Sequence, residues 1–208
     1  LMKKASHILG VRYGAETVTL STFSGDPAQT PVLFISGTRR LRLDADQLAA
    51  LRAYVQRGGM VVFDSVVGSP WFYDSVKGVL AKLFPADPLR VLPADHPLYH
   101  LAVDVDTAKF PRNSPGNLPL LEGIYVGCRV GVLISRYGLG CGWDDREVPR
   151  LPEAVFYDPD TASRLGVNLV AYAIGYAEAG REEAKPELFG AADERPPTDE
   201  FVWAQLVH

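Results

Sequence analysis

Two neighbouring polar residues, Asp64 and Ser65, follow an apolar run and are well placed for chemistry. The run predicts a buried strand, so both residues stand where that strand ends. A serine on such a turn would act as a nucleophile if a histidine took its proton and backbone N–H groups held the oxyanion. His96 or His100 would be the base, and Gly37 would supply a donor. The alternative is that Ser65 only caps the turn.

The carboxylate of Asp64 would bind a ligand or a cation if it faces the crevice where parallel strands end. Aspartate is also common in turns, so capping of the local backbone is the alternative. Arg39 and Arg40 follow the preceding predicted strand and would hold an anion at the same rim, unless they are simply solvated. The ligand-binding candidates are therefore Gly37, Arg39, Asp64, Ser65 and His96, together with Trp143 and Asp144 further along the chain.

The histidines and cysteines do not form a metal-binding pattern. His96 and His100 have the spacing of helical ligands, but Pro97 intervenes and no helical pattern surrounds them. Cys128 and Cys141 are too far apart in sequence for a zinc knuckle. We therefore expect no metal and no cofactor, and we expect His96 to anchor its loop through hydrogen bonds.

A glycine-rich stretch at residues 138–142 lacks the Lys-Ser/Thr ending of a phosphate loop, so the sequence does not predict nucleotide binding. Trp143 and Asp144 follow it. They would line a ligand pocket, with the ring giving apolar area and the carboxylate orienting the ligand. The alternative is that the glycines merely let the large ring pack. Cys141 as a nucleophile would need an electropositive setting, which its neighbours do not indicate.

The elements that position these residues form a strand, a helix and a strand. Val32–Ile35 and Met60–Phe63 are short apolar runs typical of buried strands. Between them, Asp44 and Gln47 make a capping box that begins a helix ending at Arg57. This order within about thirty residues is the parallel crossover unit. The sequence therefore predicts one α/β domain with a mostly parallel sheet.

Periodicity and breakers predict the remaining elements. Three further helices are expected at Leu1–Leu9, Pro70–Phe84 and Thr161–Glu178, and three further strands at Glu16–Thr22, Leu89–Leu92 and Arg129–Ser135. The proline-rich segment Asp95–Leu121 is expected to be a long ordered loop. Residues 181–200 have the composition of a linker, and residues 201–208 are expected to form a strand.

Composition limits the class of protein. The 208 residues are 47% hydrophobic and 22% charged, as in ordinary globular proteins. The net charge of -4 gives no field that would gather phosphates, so we expect no nucleic-acid partner. The longest apolar stretch falls short of the ~20 residues that cross a bilayer, so we expect no membrane insertion. A small molecule or a protein remains as the partner.

Several blocks of the chain, taken in order, resemble the bacterial family called domain of unknown function 4159. They are Phe34-Ile35-Ser36-Gly37, Val62-Phe63-Asp64, Asp95-His96-Pro97-Leu98-Tyr99, Leu121-Glu122-Gly123, Arg129-Val130-Gly131-Val132, Gly138-Leu139-Gly140-Cys141-Gly142-Trp143 and Leu165-Gly166-Val167-Asn168-Leu169. The resemblance implies a three-layer α/β/α fold like that of class I glutamine amidotransferases over residues 1–180, with the catalytic cysteine absent. It also implies multi-domain proteins that are often exported or associated with the envelope.

The resemblance also implies an order of elements. Domains of this family begin with a strand similar to Phe201–Leu206, which here lies at the other end of the chain. We expect the chain to be cut from a tandem array, with Phe201 onward beginning the next copy or filling a vacated sheet edge. The leading hypothesis for function is a noncatalytic module that binds a ligand or a protein within a larger bacterial protein. The alternative is a hydrolase that uses Ser65 with His96 or His100.

Overall fold

In the part of the chain that the structure describes, the fold is built around one five-stranded sheet. The computed structural model describes residues 1–10, 12, 14–143 and 151–176. The strands are β1 (Val32–Gly37), β2 (Met60–Ser65), β3 (Arg90–Val91), β4 (Leu121–Val126) and β5 (Arg129–Ser135), and they lie in the order β1-β2-β5-β4-β3. The helices are α1 (Met2–Leu9), α2 (Ala45–Gln56), α3 (Pro70–Leu83), α4 (Gly140–Trp143) and α5 (Pro159–Gly175). Two short 3-10 helices cover Val66–Gly68 and Pro97–Tyr99.

The predicted crossover unit is confirmed. β1 and β2 pair in parallel with Val32 opposite Met60, and α2 connects them. The capping box is complete, because Asp44 accepts a hydrogen bond from the Gln47 backbone N–H at 2.8 Å and the Gln47 side chain accepts one from the Asp44 N–H at 3.1 Å. This unit brings the carboxyl ends of β1 and β2 to the same edge of the sheet.

The prediction of a mostly parallel sheet is wrong. β2 pairs in parallel with β1 and with β5, but β4 is antiparallel to both β5 and β3. The physical reason is the connection between β4 and β5, in which Val126 lies opposite Arg129 and Gly127 takes a positive φ of 60°. A turn this short joins only antiparallel strands, since a parallel pair needs a crossover of a dozen or more residues. The fold is therefore α/β with a mixed sheet.

The strand predicted at Glu16–Thr22 is not formed. The backbone there is irregular and ends in a turn, in which the Thr22 N–H donates to the Thr19 carbonyl oxygen at 3.0 Å. The hydroxyls of the two threonines also bond to each other at 2.7 Å. Local bonds of this kind compete with pairing in a sheet, and alternation of Val18 and Leu20 does not overcome them.

The other predicted elements are close to those observed, and β4 is an addition. α1 and α3 fall within the predicted helices, whereas α5 begins at Pro159, before the predicted start at Thr161. The predicted strands at 89–92 and 129–135 contain β3 and β5. The long loop before β4 is ordered by Asn168, whose side-chain oxygen accepts from the N–H groups of Ala102 and Val103 at 3.0 and 2.9 Å. Because Asn168 is fully buried on α5, this loop is fixed to the helix.

Helices pack on both faces of the sheet. Along β2 the side chains alternate, so Val61 and Phe63 pack with α2 and α3, whereas Met60 and Val62 pack with α5. α1 packs on the outer side of α5 through Ala5. Both faces of β2 are thus buried, which explains its continuous apolar sequence.

Some predictions fall outside the described residues. These are the linker at 181–200, the strand at 201–208 and the placement of Asp144. In the part of the chain that the structure describes, no helix has the length and apolar character needed to span a membrane.

Candidate functional site

The carboxyl ends of β1, β2 and β5 bring most of the predicted site residues together. Gly37 lies opposite Ser65, and Asp64 lies opposite Ser135, so the three strands end at one edge. α4, which ends at Trp143, follows directly after β5. This carboxyl edge is where open α/β sheets usually bind ligands.

Asp64 is fully buried at this edge and uses both carboxylate oxygens within the fold. Oδ1 accepts a hydrogen bond from the Leu139 N–H at 2.7 Å, and Oδ2 accepts one from the Gly140 N–H at 2.9 Å. Burial raises its pKa to about 6, and the two N–H donors oppose that rise. A Cβ on Gly140 would lie 3.0 Å from Oδ2, so glycine there allows the close approach. Asp64 therefore fastens β2 to the start of α4.

Ser65 is also fully buried, and its hydroxyl has no hydrogen-bond partner among the described residues. Its side chain follows Phe63 in the alternation of β2 and so points to the face covered by α2 and α3. Gly37 beside it is packed just as closely, because a Cβ there would lie 2.7 Å from the Phe72 ring. A substrate approaching from solvent would have no access to this hydroxyl.

His96 lies at the other end of the sheet. Its Nδ1 accepts the Leu98 N–H at 3.1 Å, and its ring packs against Tyr125 and Tyr172, with centroids 6.0 and 5.7 Å away. Tyr125 pairs with Val130 of β5, whereas Asp64 pairs with Ser135, five residues further along the same strand. At about 3.3 Å per residue, His96 is separated from Ser65 by roughly 15 Å of strand. The structure does not bring them together, and the prediction that His96 anchors its loop is confirmed.

His100 holds the same loop from the outside. One ring nitrogen bonds the Ala94 carbonyl oxygen at 2.8 Å, and the other lies 3.2 Å from a carboxylate oxygen of Asp104. The hydrogen bond to the Ala94 carbonyl is the largest cause that raises the pKa of His100 above its usual value, and the hydrogen bond to Asp104 is the next largest. Among the described residues no three His, Cys, Asp or Glu side chains gather closely enough to hold a metal ion.

The turn between β2 and α3 has an unusual backbone that the sequence did not reveal. Val67 takes φ 52° and ψ 20°, in the left-handed region, and Gly68 follows with φ 73°. That region is rare for a β-branched residue and costs about 1–3 kcal/mol. The Val67 carbonyl oxygen accepts the Val155 N–H at 3.0 Å, which fixes the turn. The half-buried bend of this strand-to-helix turn thus carries an aliphatic side chain.

Cys141 approaches the same turn from α4. Its half-buried thiol accepts the backbone N–H of Val67 and lies near Asp64. Burial is the largest effect and raises the pKa of the thiol above its ordinary value, with the Asp64 charge acting in the same direction. A thiol with a raised pKa is protonated at neutral pH and is a poor nucleophile. The structure thus places Cys141 in an unreactive setting.

Trp143 packs between the sheet and α5. Its indole N–H donates to the Ala162 carbonyl oxygen at 2.6 Å, and its ring lies 4.9 Å from that of Phe34 on β1. Phe34 keeps 37% of its surface exposed, and Trp143 is half-buried. The polar atom of the indole is therefore used within the fold, while part of the aromatic pair faces solvent.

Arg39 lies in a loop after β1 that α3 holds at both ends. The Ser69 hydroxyl donates to the Thr38 carbonyl oxygen at 2.6 Å, and the Ser75 hydroxyl accepts the Leu41 N–H at 2.8 Å. Arg39, Arg40 and Arg42 are all exposed on this loop. Trp71 on α3 lies beside the loop and is 61% exposed. We call Arg39, Arg40, Arg42 and Trp71 the arginine–tryptophan surface.

Within the arginine–tryptophan surface, the Arg40 guanidinium lies 5.2 Å from the centroid of the Trp71 ring. None of its three arginines makes an ion pair with a described residue. Two cavities lined by described residues lie away from this surface, one beside the C-terminal end of α3 and one beside β3. The surface therefore combines positive charge, which no described residue pairs, with an exposed ring. The sequence predicted Arg39 and Arg40 as anion-binding candidates, whereas Arg42 and Trp71 were not predicted and Trp71 was expected only as an apolar residue of a helix.

The described residues form an α/β domain. It has a mixed five-stranded sheet, helices on both faces of the sheet, and a buried aspartate where the parallel strands end. The family described as Domain of unknown function (DUF4159) matches residues 1–174, and the chain belongs to that family. No curated protein matches the chain.

Proposed function

We propose that this domain is a noncatalytic binding module whose contact region is the arginine–tryptophan surface. The observation that carries the proposal is the turn between β2 and α3. Enzymes that use a nucleophile at such a place present it on a sharp, strained strand-to-helix turn. Here the strained residue is Val67, whose side chain cannot attack a substrate. The neighbouring hydroxyl, that of Ser65, is buried.

We propose further that the fold is the three-layer arrangement of class I glutamine amidotransferases with the catalytic cysteine absent. Support comes from the parallel pairing of β1, β2 and β5 and from helices on both faces of the sheet. In this proposal the domain works within a larger bacterial protein that is exported or associated with the envelope. The fold then supplies a rigid support for binding, since fold alone does not imply chemistry.

The proposed partner is an acidic protein segment. Arginine and tryptophan are enriched among the residues that dominate binding energies at protein interfaces. The loop that carries Arg39 and Arg40 is pinned to α3 by Ser69 and Ser75, so little flexibility is lost on binding. Small molecules prefer concave pockets, whereas this surface has an exposed ring on a helix. Carboxylates of a partner would pair with the arginines and its apolar atoms would cover Trp71.

The binding proposal is tested with a labelled oligo-glutamate peptide and an oligo-glutamine peptide of the same length, measured by fluorescence anisotropy. We expect binding of the glutamate peptide alone, with an affinity that falls as salt rises because the charges are exposed. Trp71→Ala and Arg40→Ala should each weaken binding by about tenfold, which corresponds to about 1.4 kcal/mol.

Arg52→Ala is the matched control, because Arg52 is an exposed arginine on α2 outside the surface. It should leave the affinity unchanged. Equal loss in Arg52→Ala and Arg40→Ala would mean that only net charge is sensed, and the surface would then not be a site.

The noncatalytic part is tested separately with a fluorophosphonate probe, which labels activated serines. We expect no labelling of the folded protein, because the Ser65 hydroxyl is buried and His96 lies near the opposite ends of the strands. Labelling that disappears in Ser65→Ala would contradict the proposal and favour a hydrolase.

A further inference from the structure

The long loop before β4 carries two histidines whose hydrogen bonds require opposite protonation states. We call residues 94–106 the histidine loop. His96 stands directly before the short 3-10 helix at Pro97–Tyr99, and His100 directly after it. The partners of each ring nitrogen show which protonation state each histidine needs.

His100 needs a proton on both ring nitrogens. One nitrogen lies 2.8 Å from the Ala94 carbonyl oxygen, and the other lies 3.2 Å from a carboxylate oxygen of Asp104. Both partners are acceptors, whereas a neutral imidazole has only one N–H to donate. Only the imidazolium cation therefore donates to both, and in doing so it ties the two ends of the histidine loop together.

His96 needs the neutral ring. It is the N-cap of the 3-10 helix, and its Nδ1 accepts the Leu98 N–H at 3.1 Å. A protonated Nδ1 has no lone pair with which to accept that bond. The ring is also buried between Tyr125 and Tyr172, and burial disfavours the charged form. Protonation of His96 would therefore remove the cap.

We propose that His96 and His100 make the histidine loop a pH-sensitive switch, which is most firmly closed near pH 6.5 and loosens at both lower and higher pH. At low pH, the cap formed by His96 is lost. At high pH, deprotonation of His100 leaves one ring nitrogen facing an acceptor without a proton between them. This inference is independent of the proposed binding module, because it concerns a different loop from the arginine–tryptophan surface.

The charges around His100 favour its protonated form. A carboxylate oxygen of Asp106 lies 4.0 Å from the nitrogen that faces Asp104. On α5, Arg164 donates to the Asp104 carbonyl oxygen and brings one positive charge to this side of the loop. Its guanidinium lies 3.9 Å from a carboxylate oxygen of Asp160, which offsets that charge. The described groups that face the His100 ring are therefore predominantly negative.

The two pKa values move in opposite directions. Burial lowers the pKa of His96 below 6.5, against the opposing charge of Asp95. The hydrogen bond to Ala94, and then the one to Asp104, raises the pKa of His100 above 6.5. The stability contributed by His96 is thus fully present above pH 6.5 and is lost as pH falls from there through its folded-state pKa. The contribution of His100 is fully present below pH 6.5 and is lost as pH rises through its folded-state pKa.

The histidine loop forms one wall of a cavity of about 400 Å³ beside β3. The lining residues from the loop are Ala94, Asp95, His100, Val105 and Asp106. The remaining lining residues are apolar, namely Val91, Leu92 and residues 118–120. Because His100 belongs to the wall, loss of its contacts frees that wall. The switch therefore controls the opening of an apolar cavity.

The test combines NMR titration of the histidine rings with amide hydrogen exchange in the whole 208-residue chain. We expect His96 to titrate below pH 6.5, with its neutral ring protonated at Nε2, and His100 to titrate above pH 6.5. The amides of Leu101 and Val105 report opening of the loop, since they donate to the Pro97 and Tyr99 carbonyl oxygens at 2.9 and 2.8 Å. Their opening constant, corrected for the intrinsic exchange rate, should be lowest near pH 6.5 and rise about two- to fivefold on each side.

Single variants separate the two sides of this profile. His100→Gln should abolish the rise at high pH. His96→Asn, whose amide oxygen still caps the 3-10 helix, should abolish the rise at low pH. His7→Gln is the matched control, because His7 is exposed on α1, and it should retain both. The amide of Leu133, fully buried on β5, reports unfolding of the whole domain.

A rise at high pH that persists in His100→Gln would overturn the proposal, as would a rise at low pH that persists in His96→Asn. Loop amides that exchange no faster than Leu133 would also overturn it, because the loop would then open only when the whole domain unfolds. If a variant fails to fold, the ring titrations of the unmodified chain decide the outcome. His96 titrating above pH 6.5, or His100 below it, would then exclude the switch.

Discussion

The Asp64 carboxylate and the Gly140 backbone N–H lie 2.9 Å apart, although 76 positions separate them in the sequence. With the Leu139 contact, this bond ties the end of β2 to the loop that begins α4. Asp64 is buried at some cost to its charged form, as its raised pKa of about 6 indicates. The fold keeps the carboxylate there because two otherwise orphaned N–H groups depend on it.

Asp64→Ala should lower the free energy of unfolding by about 2–4 kcal/mol, because two buried N–H groups lose their acceptor. Chemical denaturation measures this change. Asp74→Ala, at an exposed aspartate on α3, is the control and should have an effect of less than about 0.5 kcal/mol. Similar effects of the two substitutions would show that the Asp64 contacts do not stabilise the fold.

The pKa of Asp64 predicts a pH dependence of stability. The pKa of Asp64 in the folded state is raised from 3.8 to about 6, so folding favours the protonated carboxyl. The stability that this protonation contributes is fully present below about pH 4 and is lost as pH rises through about 6. The unmodified chain should therefore lose about 3 kcal/mol of this stability between about pH 4 and a pH above 6, whereas Asp64→Asn, which has no group to titrate there, should not. The free energy of unfolding of Asp64→Asn minus that of the unmodified chain should rise by the same amount. Urea denaturation at several pH values measures the difference. A constant difference would contradict the raised pKa.

Val67→Asn should raise the free energy of unfolding by about 1 kcal/mol. Asparagine tolerates the left-handed backbone at φ 52° better than a β-branched residue does. Val66→Asn, next to it and equally half-buried but without a positive φ, should not stabilise the protein. Thermal unfolding of both variants measures the effect. Destabilisation by Val67→Asn would indicate that packing of the valine side chain outweighs the strain.

The two cysteines should react with a thiol reagent at different rates. Cys128 is exposed, whereas Cys141 is half-buried with a raised thiol pKa. Cys128→Ser leaves only Cys141, and Cys141→Ser leaves only Cys128. At neutral pH we expect Cys128→Ser to react much more slowly than Cys141→Ser, because the thiolate is the reactive form. Fast labelling of Cys141 in the folded protein would contradict its placement beside Asp64 and Val67.

Much of the fold follows from local sequence. The capping box at Asp44 and the apolar runs of β1 and β2 identify the parallel unit, because short-range periodicity is sufficient for such elements. β5 was predicted, but its hairpin partner β4 was missed because Gly123 interrupts the apolar pattern of β4 and the turn after Val126 lacks a strong hairpin dipeptide. The apparent alternation at 16–22 misled because two threonines form a turn there.

The candidate site was predicted only in part. The sequence placed Asp64, Ser65 and Gly37 at one edge of the sheet, since carboxyl ends of adjacent parallel strands coincide. It did not reveal that Ser65 is buried or that His96 lies at the opposite edge. Those facts depend on which face of β2 each side chain takes and on the path of the long loop.

By itself, then, the sequence determined that the chain builds an α/β unit with polar residues after β2, because helix caps and apolar periodicity act over a few residues. Only the tertiary structure decided that Asp64 is bonded to α4, that Ser65 is inaccessible and that Arg40 lies against Trp71. These relationships join residues that are distant in sequence. They arise from how the packed elements meet, which no local pattern specifies.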